Sequence, residues 1–346
     1  MTREAFEQET LNLLAEHRRQ HPALEPRDEV KFLFQGLLGV GHLLSSREAV
    51  ADDLLREMAA LAPESPEPLW EQVSPAWCRL NLRSAAARGL TPQVIAGLML
   101  TSASPLDFTR QDVQRLCREA GIRDEALLRQ IPEADWLPSH TGAYREAYQP
   151  AYRLISAAWC PCLEAVAAIA GKARDTDRLL VTIDGPCACG KTTLAGQLAE
   201  VFQAPVVHTD DYVIPHARKT PERLAIPGGN YDAQRLMSEV ITPWSQHLPA
   251  VVRRYDCAKD CLAPDAPLPD SPLLFLEGCC SNLSALRALA GIRLFLDVPR
   301  KERIRRLTQR ESADSLKQFH TRWIPLEDAY FRAFGLPDAG CLVLRL

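Results

Sequence analysis

A glycine-rich segment near the middle of the chain combines residue types that bind phosphate groups. Residues 185–192 read Gly-Pro-Cys-Ala-Cys-Gly-Lys-Thr, which matches the pattern G-x-x-x-x-G-K-[ST] at every fixed position. Glycines let backbone N–H groups curl around a polyphosphate, and the N-terminus of a following helix adds about half a positive charge. An apolar run at 179–183 precedes the segment, and a helical stripe of Leu194, Leu198 and Val201 follows it. This strand–loop–helix context predicts a phosphate-binding loop.

The side chains of the predicted loop suit a nucleotide triphosphate with a divalent cation. Lys191 is expected to bridge the β- and γ-phosphates of ATP, and the Thr192 hydroxyl is expected to hold Mg²⁺. The predicted nucleotide-binding residues here are Gly185, Cys187, Ala188, Cys189, Gly190, Lys191, Thr192 and Thr193. A helix N-terminus lowers the pKa of a nearby thiol, so oxidation-sensitive cysteines at 187 and 189 are a further hypothesis. Kinases, motors, GTPases and helicases share such a loop, so the reaction depends on the remaining residues.

A pair of carboxylates follows the next apolar run, at 205–207. The residues are Asp210 and Asp211, followed by Tyr212. In a doubly wound sheet, ligands bind at the carboxyl ends of the strands, where this pair falls. A carboxylate there can orient an acceptor hydroxyl and accept its proton. Because Asp also caps helices, an acid pair that merely begins a helix is an equally good reading of these residues alone.

Several short motifs, in order, resemble the uridine kinase and phosphoribulokinase branch of P-loop kinases. Asp210-Asp211-Tyr212 is similar to the D-[DS]-[FY] motif of that branch, and Leu276-Glu277-Gly278 is similar to its E-G motif. Asn230-Tyr231-Asp232 resembles its N-[FY]-D segment, and Tyr255-Asp256 its Y-D pair. A closer resemblance, to bacterial proteins described as uridine kinase-like, includes 218–224, 227–230 and 322–327. The resemblance covers residues 178–336.

The resemblance implies an ATP-dependent phosphotransferase that moves the γ-phosphoryl group to a hydroxyl of a small metabolite. Asp210 is then the catalytic base, and Thr192, Glu277 and Asp210 surround Mg²⁺. Asp232 holds the acceptor hydroxyls and Tyr255 lines the pocket, with Asp211, Tyr212 and Asp256 in the same acceptor site. Arg303 contacts the nucleotide, while Arg306 and Arg310 lie over the transferring phosphate as part of a lid.

The residues themselves leave alternatives open. Arg303, Arg306 and Arg310 share one helix face at i, i+3 and i+7, but helix arginines are more often solvated surface. Glu277 closes an apolar strand, where a charge is costly unless it meets a cation or water; a surface acid is the other reading. The stretch after Tyr255-Asp256 lacks the histidine with which uridine kinases recognise the pyrimidine. A kinase of a non-nucleoside metabolite, or an ATP-binding regulatory protein without metabolite phosphorylation, therefore remains an alternative.

Composition limits the class of protein. The 346 residues are 47% hydrophobic and 24% charged, which are globular values, and the length predicts roughly two domains. A net charge of −4 argues against nucleic acid as a partner. No apolar run has the ~18 to 20 residues of a membrane helix, and the first residues lack the apolar core of a signal peptide. Eleven cysteines without an export signal read as reduced thiols, so we expect a cytoplasmic protein.

The pattern of apolar residues changes near residue 175. Before it, helical spacing without β-alternation predicts an all-α domain of unknown role over 1–170, and 171–177 is a polar candidate linker. After it, short apolar runs at 179–183, 205–207, 273–276 and 293–296 predict an α/β P-loop NTPase domain, Rossmann-like, over 178–346 with a mostly parallel sheet. Polar clusters at 140–145 and at Gly36, Gly39, Gly41 and His42 are either structural or a second binding site. The apolar helices of the first half are expected to pack on the kinase or on a second copy, which would make a homo-oligomer.

Overall fold

The computed structural model describes residues 1–39, 46–61, 68–102 and 106–346. Gly41 and His42 lie outside the described residues. The chain divides into two compact units, Met1–Leu163 and Glu164–Leu346. Among the residues that the structure describes, no helix combines the length and apolar character needed to cross a membrane.

The first unit is mainly helical but contains a sheet. Its helices are α1 (Arg3–Gln20), α2 (Pro26–Leu38), α3 (Arg47–Ala59), α4 (Leu82–Ala87), α5 (Pro92–Thr101), α6 (Arg110–Glu119), α7 (Glu125–Gln130) and α8 (Gly142–Tyr148). Three antiparallel strands, in the order β1–β2–β3, are β1 (Trp70–Gln72), β2 (Trp77–Asn81) and β3 (Tyr152–Ser156). The prediction of an all-α domain over 1–170 is therefore wrong.

The pattern of apolar and polar residues did not indicate this sheet, for a physical reason. The first four residues of β2 are all buried, so both faces of the strand meet protein and polar residues do not alternate with apolar ones. Its partner β3 lies more than 70 residues later, where Cys78 pairs with Ile155. Local periodicity cannot show a pairing over such a separation.

Helices α1, α2 and α6 pack around the principal core of the first unit. Helix α2 begins at a capping box formed by Glu25 and Asp28 and buries one apolar face. Fully buried members of this core include Leu14, Val30, Phe32, Leu33, Leu37, Leu116 and Leu128. This packing fixes the rotation of α2 about its axis, and so fixes which way its polar residues face.

The second unit is built on a five-stranded parallel sheet. Its strands are β4 (Leu179–Asp184), β5 (Val206–His208), β10 (Leu273–Glu277), β11 (Ile292–Asp297) and β12 (Leu342–Arg345), in the order β12–β11–β4–β10–β5. All four pairings are parallel. The parallel sheet predicted from the four apolar runs is confirmed, and β12 is an additional strand at its edge.

Helices and short hairpins complete the second unit. The helices are α9 (Leu163–Arg174, whose first residue belongs to the first unit), α10 (Lys191–Phe202), α11 (Pro221–Ala225), α12 (Ala233–Leu236), α13 (Thr242–Ser245), α14 (Ser284–Leu289), α15 (Arg300–Arg310), α16 (Ala313–Gln318) and α17 (Ile324–Phe334). Two-residue strands β6 (Val251–Val252) and β9 (Ala266–Pro267) pair antiparallel, as do β7 (Tyr255–Asp256) and β8 (Cys261–Leu262). Residues 171–174 of the candidate linker form the end of α9.

The position of β4 explains why the functional residues collect at one edge. Every residue of β4 is buried, since β10 and β11 pair on its two sides and α10 packs against it. In a parallel sheet all strands end at the same edge. The residues that follow β4, β5 and β10 are therefore brought together there. A parallel sheet with flanking helices and a phosphate-loop sequence after its central strand is consistent with a P-loop NTPase fold.

Candidate active site

The predicted phosphate loop connects β4 to α10, as its sequence context requires. Gly185 has φ +142° and Gly190 has φ +101°, a region that side chains with a Cβ rarely adopt. A Cβ placed on Gly185 would lie 2.7 Å from the carbonyl oxygen of Leu296. The loop therefore runs against β11 too closely for any residue but glycine. Its curled backbone at the start of a twelve-residue helix suits an anion.

A buried carboxylate holds the start of the loop. Asp184, the last residue of β4, is fully buried, and its Oδ1 accepts a hydrogen bond of 2.7 Å from Gly185 N. Its Oδ2 accepts from Tyr330 Oη at 2.8 Å and from Asn282 Nδ2 at 3.1 Å. Burial raises the pKa of Asp184. These three supporting residues were not among the predicted site residues; the acid immediately before the first glycine was their only sequence signal.

Three predicted cations lie against the loop. Lys191 Nζ donates to Gly185 O at 2.7 Å and to Pro186 O at 3.0 Å. Arg306 Nη1 lies 3.4 Å from Ala188 O, and the largely buried Arg303 places Nη1 3.5 Å from Cys187 O. The helix face predicted to carry arginines thus faces the phosphate loop at 303 and 306.

The thiols of the loop do not behave as expected from their place beside a helix N-terminus. Burial raises the pKa of Cys187 to about 12, and it also raises the pKa of Cys189. The expected lowering of the thiol pKa is therefore wrong, because desolvation outweighs the helix dipole. Both cysteines act as small apolar side chains, and Cys187 packs with Leu307 and Ile324.

A second carboxylate contacts the loop from α17. Glu327 Oε2 accepts a hydrogen bond of 2.9 Å from Cys187 N, and burial raises the pKa of Glu327. Its segment, 322–327, belongs to the resemblance, but no role was assigned to it from sequence. Glu327 therefore accepts from a backbone N–H of the phosphate loop, the kind of donor that also binds phosphate oxygens.

Thr192 and Glu277 meet at the start of α10 and the end of β10. Thr192 Oγ1 donates to Glu277 Oε1 at 3.2 Å, and His208 Nδ1 lies 2.5 Å from the same oxygen. This hydrogen bond raises the pKa of His208. Glu277 is 4% exposed, and its Oε2 is buried without a hydrogen-bond partner among the described residues. Such a carboxylate oxygen beside a hydroxyl suits a hard cation such as Mg²⁺.

A cavity of about 660 Å³ lies between the phosphate loop and the residues after β5. The loop side consists of Cys187, Ala188, Gly190, Lys191, Thr192 and Thr193; Glu277, Arg310 and Glu327 also line the space. On the other side lie Asp210, Asn230 and Tyr231. The cavity therefore joins the predicted base, the metal pair and most of the predicted nucleotide-binding residues, with Arg303 and Arg306 behind the loop.

Asp210 is oriented within this cavity by a residue of the 230–232 segment to which the sequence assigned no role. Tyr231 Oη donates to Asp210 Oδ1 at 3.2 Å. The neighbouring Asn230 is 9% exposed, and its Oδ1 is buried without a partner among the described residues. An unpaired acceptor in the wall of a cavity can receive a hydrogen bond from a bound molecule.

The five residues predicted to hold the acceptor do not line the cavity. Asp211 forms an ion pair with Arg254 at 3.3 Å, and Tyr212 is fully buried under Arg235. Their place as acceptor ligands stays a prediction. Other side chains line the cavity, namely Val213, His216, Lys219, Ile226, Cys257, Phe319, Arg322 and Trp323.

The other three predicted acceptor residues also have partners of their own. Asp232 caps α12 and pairs with Arg218 at 3.0 Å. The Tyr255 hydroxyl donates to Asp260. Asp256 Oδ1 accepts from Ala258 N and Lys259 N in the turn between β7 and β8. These contacts shape the loops around the cavity.

The chain has only limited similarity to known proteins. No family model matches the chain, and no curated protein does. A solved structure described as a possible uridine kinase from Bacillus stearothermophilus is 21% identical, with a TM-score of 0.40, over 52% of this chain and 99% of that one. A putative fructose transport system kinase from Silicibacter sp. TM1040 is 20% identical, with a TM-score of 0.36, over 45% of this chain and 85% of that one. Because both TM-scores are below 0.5, conclusions about this chain rest on its own geometry.

Proposed function

We propose that the second unit transfers the γ-phosphoryl group of ATP to a hydroxyl of a small metabolite, in the manner of uridine kinase-like proteins. One observation carries the proposal: a single cavity has the phosphate loop on one side and the Asp210 carboxylate on the other. A protein that only binds ATP does not need a carboxylate facing the loop. A phosphotransferase does, because the acceptor hydroxyl must be aimed at the terminal phosphate and must lose its proton.

The residues of the loop stabilise negative charge on the nucleotide. The backbone N–H groups of the loop and the ammonium of Lys191 act on the phosphates, after Lys191 exchanges its carbonyl partners for phosphate oxygens. Arg306 and Arg310 add positive charge from α15. Together these groups stabilise the charge that spreads over the phosphoryl oxygens in the transition state.

The pair of Thr192 and Glu277 would hold Mg²⁺, with Asp210 nearby in the same cavity. The unpartnered Glu277 Oε2 and the adjacent hydroxyl are the observation that supports this fit. When bound, Mg²⁺ neutralises charge on the β- and γ-phosphates. His208, hydrogen-bonded to Glu277, orients the carboxylate in the manner of an outer-shell partner.

The acceptor end of the cavity combines a candidate base with a further hydrogen-bond acceptor. Asp210 accepts the proton of the acceptor hydroxyl, and Tyr231 holds Asp210 in the required orientation. Asn230 Oδ1 offers a further hydrogen-bond acceptor to the same molecule. These groups suit a compound with several hydroxyls, and they serve a nucleoside or a non-nucleoside equally well.

The decisive experiment measures ADP release by the full chain with panels of nucleosides, sugars and vitamins, against a background with ATP alone. Asp210→Asn should keep ATP affinity and lower acceptor-dependent turnover by about 100- to 10,000-fold, the usual contribution of a general base. Lys191→Ala should lower turnover by about 100-fold or more. Asp265→Asn, an exposed carboxylate outside the cavity, is the matched control and should retain activity.

A regulatory ATP-binding protein is the rival. It predicts ATP binding without any acceptor that accelerates ADP release. Full turnover in Asp210→Asn would contradict the assignment of the base even if an acceptor were found.

A further inference from the structure

Two cysteines from distant parts of the first unit lie side by side. Cys78 is the second residue of β2, and Cys160 lies in a short 3₁₀ helix, Ala157–Cys162, that follows β3. Their Sγ atoms are 2.9 Å apart, although 82 residues separate them in the chain. Both are free thiols. The phosphotransfer proposed for the second unit uses neither of them.

The pairing of β2 with β3 fixes where the two sulfur atoms lie. The contact between the strands continues past the end of β3, because Ala157 N donates to Ala76 O at 2.8 Å. The Ser156 hydroxyl caps the 3₁₀ helix, which packs against β2. The chain therefore turns back towards β2 directly after the sheet, and this turn brings Cys160 against Cys78.

The two thiols differ in their access to solvent. Cys78 is fully buried, whereas Cys160 is half-buried and precedes the exposed Pro161. The hydrogen bond with Cys160, together with burial, raises the pKa of Cys78, which therefore stays protonated. A reagent in solution thus reaches Cys160 first. The buried Cys78 is then positioned as the second thiol, which resolves the product of that reaction.

The separation of the two sulfur atoms is close to that of a covalent bond. Since a disulfide has an S–S distance of about 2.0 Å, closing one from the observed 2.9 Å requires a movement of about 0.9 Å. Cys160 lies outside the strands, so a shift of this size leaves the hydrogen bonds between β2 and β3 in place.

The same pair of thiols does not suit a metal ion. At a Zn–S distance of about 2.3 Å, two thiolates on one tetrahedral ion lie about 3.8 Å apart, which is farther than these sulfur atoms are. Within the part of the chain that the structure describes, the only triad of potential metal ligands with suitable spacing is His17, His21 and Glu71. No third ligand therefore joins the two cysteines, and the chemistry left to them is oxidation.

We propose that Cys78 and Cys160 form an oxidation site at which hydrogen peroxide closes a disulfide within the first unit. In the first step the O–O bond of the peroxide breaks, the Cys160 thiol becomes a sulfenic acid, and one water leaves. In the second step Cys78 Sγ attacks Cys160 Sγ, the S–O bond breaks, and the hydroxyl leaves as water with the proton of the Cys78 thiol. One peroxide is thereby reduced to two waters, while the pair of thiols loses two hydrogen atoms and two electrons.

The test treats the full chain with hydrogen peroxide, alkylates the remaining thiols and maps the peptides by mass spectrometry. We expect a cross-linked peptide that contains Cys78 and Cys160 and weighs two hydrogen atoms less than its two thiol peptides together. It should exceed every other disulfide by about tenfold or more, since groups already in contact react at a high effective concentration. Dithiothreitol should remove the cross-link. Peroxide treatment in urea that unfolds the chain is the control, and there the preference for this pair should be lost.

Variants separate the two steps. Cys78→Ala leaves Cys160 without its resolving thiol, so a sulfenic acid should accumulate there and be trapped by dimedone. Cys160→Ala should abolish the cross-link. Cys162→Ala, which removes the buried cysteine two residues away, is the matched control and should still form the bond between Cys78 and Cys160.

Three results would overturn the proposal. One is a disulfide between Cys160 and Cys162 in place of the expected one. Another is oxidation of Cys160 to a sulfinic or sulfonic acid without any cross-link. The third is an unmodified Cys160 at a peroxide concentration that oxidises the exposed Cys257. Because the readout is the covalent bond itself, the outcome does not depend on whether the second unit is a kinase.

Discussion

The buried His140 makes the stability of the first unit depend on pH. Burial, together with the positive charge of Lys31, lowers the pKa of His140 from its ordinary value of 6.5 to about 4. In the folded unit Nδ1 donates to Asp28, and Nε2, 2.6 Å from Tyr152 Oη, accepts its hydrogen bond. The folded histidine is therefore neutral where the unfolded one takes up a proton.

The size and sign of the effect follow from this difference. Between pH 6.5 and about 4 the unfolded chain binds more protons at this site than the folded chain does. The free energy of unfolding must then rise with pH across this window and fall on acidification. At about 1.4 kcal/mol for each pKa unit, the loss from neutral pH to about pH 4 is about 3 kcal/mol. Other groups titrate in the same range, so a matched variant is needed.

His140→Gln supplies that comparison. A glutamine retains an N–H donor for Asp28 and an acceptor for Tyr152, but it does not titrate. Urea unfolding of the full chain, followed through the indole N–H signal of Trp77 by NMR, reports on the first unit. Over the window from neutral pH to about pH 4, the wild type should lose about 3 kcal/mol more than the variant. The same pH dependence in both proteins would refute the reasoning.

Two further predictions concern the phosphate loop. Gly185→Ala should weaken ATP binding by at least about tenfold, because its Cβ would lie 2.7 Å from Leu296 O at a φ of +142°; Gly196→Ala, with open space around its Cβ, should bind ATP normally in the same titration. Tyr330→Phe should lower the free energy of unfolding by about 1 to 3 kcal/mol, since a donor to the buried Asp184 is lost. An unchanged urea midpoint for the second unit would contradict that role.

The parts of the fold that local sequence could predict are those with local causes. The phosphate loop was recognised because its glycines, lysine and threonine lie within eight residues and their flanks are a strand and a helix. The parallel strands were recognised because strands buried on both faces leave continuous apolar runs. Glu277 and Asp210 could be placed because Glu277 ends a strand of that sheet and Asp210 lies two residues beyond the end of another.

The parts that escaped prediction depend on distant residues. The three-stranded sheet of the first unit joins β2 to a strand more than 70 residues away. Glu327 and Tyr330, both in α17, contact Cys187 and Asp184, which lie 140 and 146 residues earlier in the chain. Within the Asn230-Tyr231-Asp232 segment, Asn230 and Tyr231 line the cavity, whereas Asp232, the residue predicted to hold the acceptor, caps a helix.

The bond between Tyr330 and Asp184 has a consequence for how the protein is made. During synthesis the carboxylate at the base of the loop emerges long before the tyrosine that helps hold it, 146 residues later. Until α17 arrives, this buried acid lacks one of its donors, and the glycines beside it have a looser anchor. We therefore predict that nucleotide binding by the nascent chain begins only after α17 has been made and Tyr330 has reached Asp184.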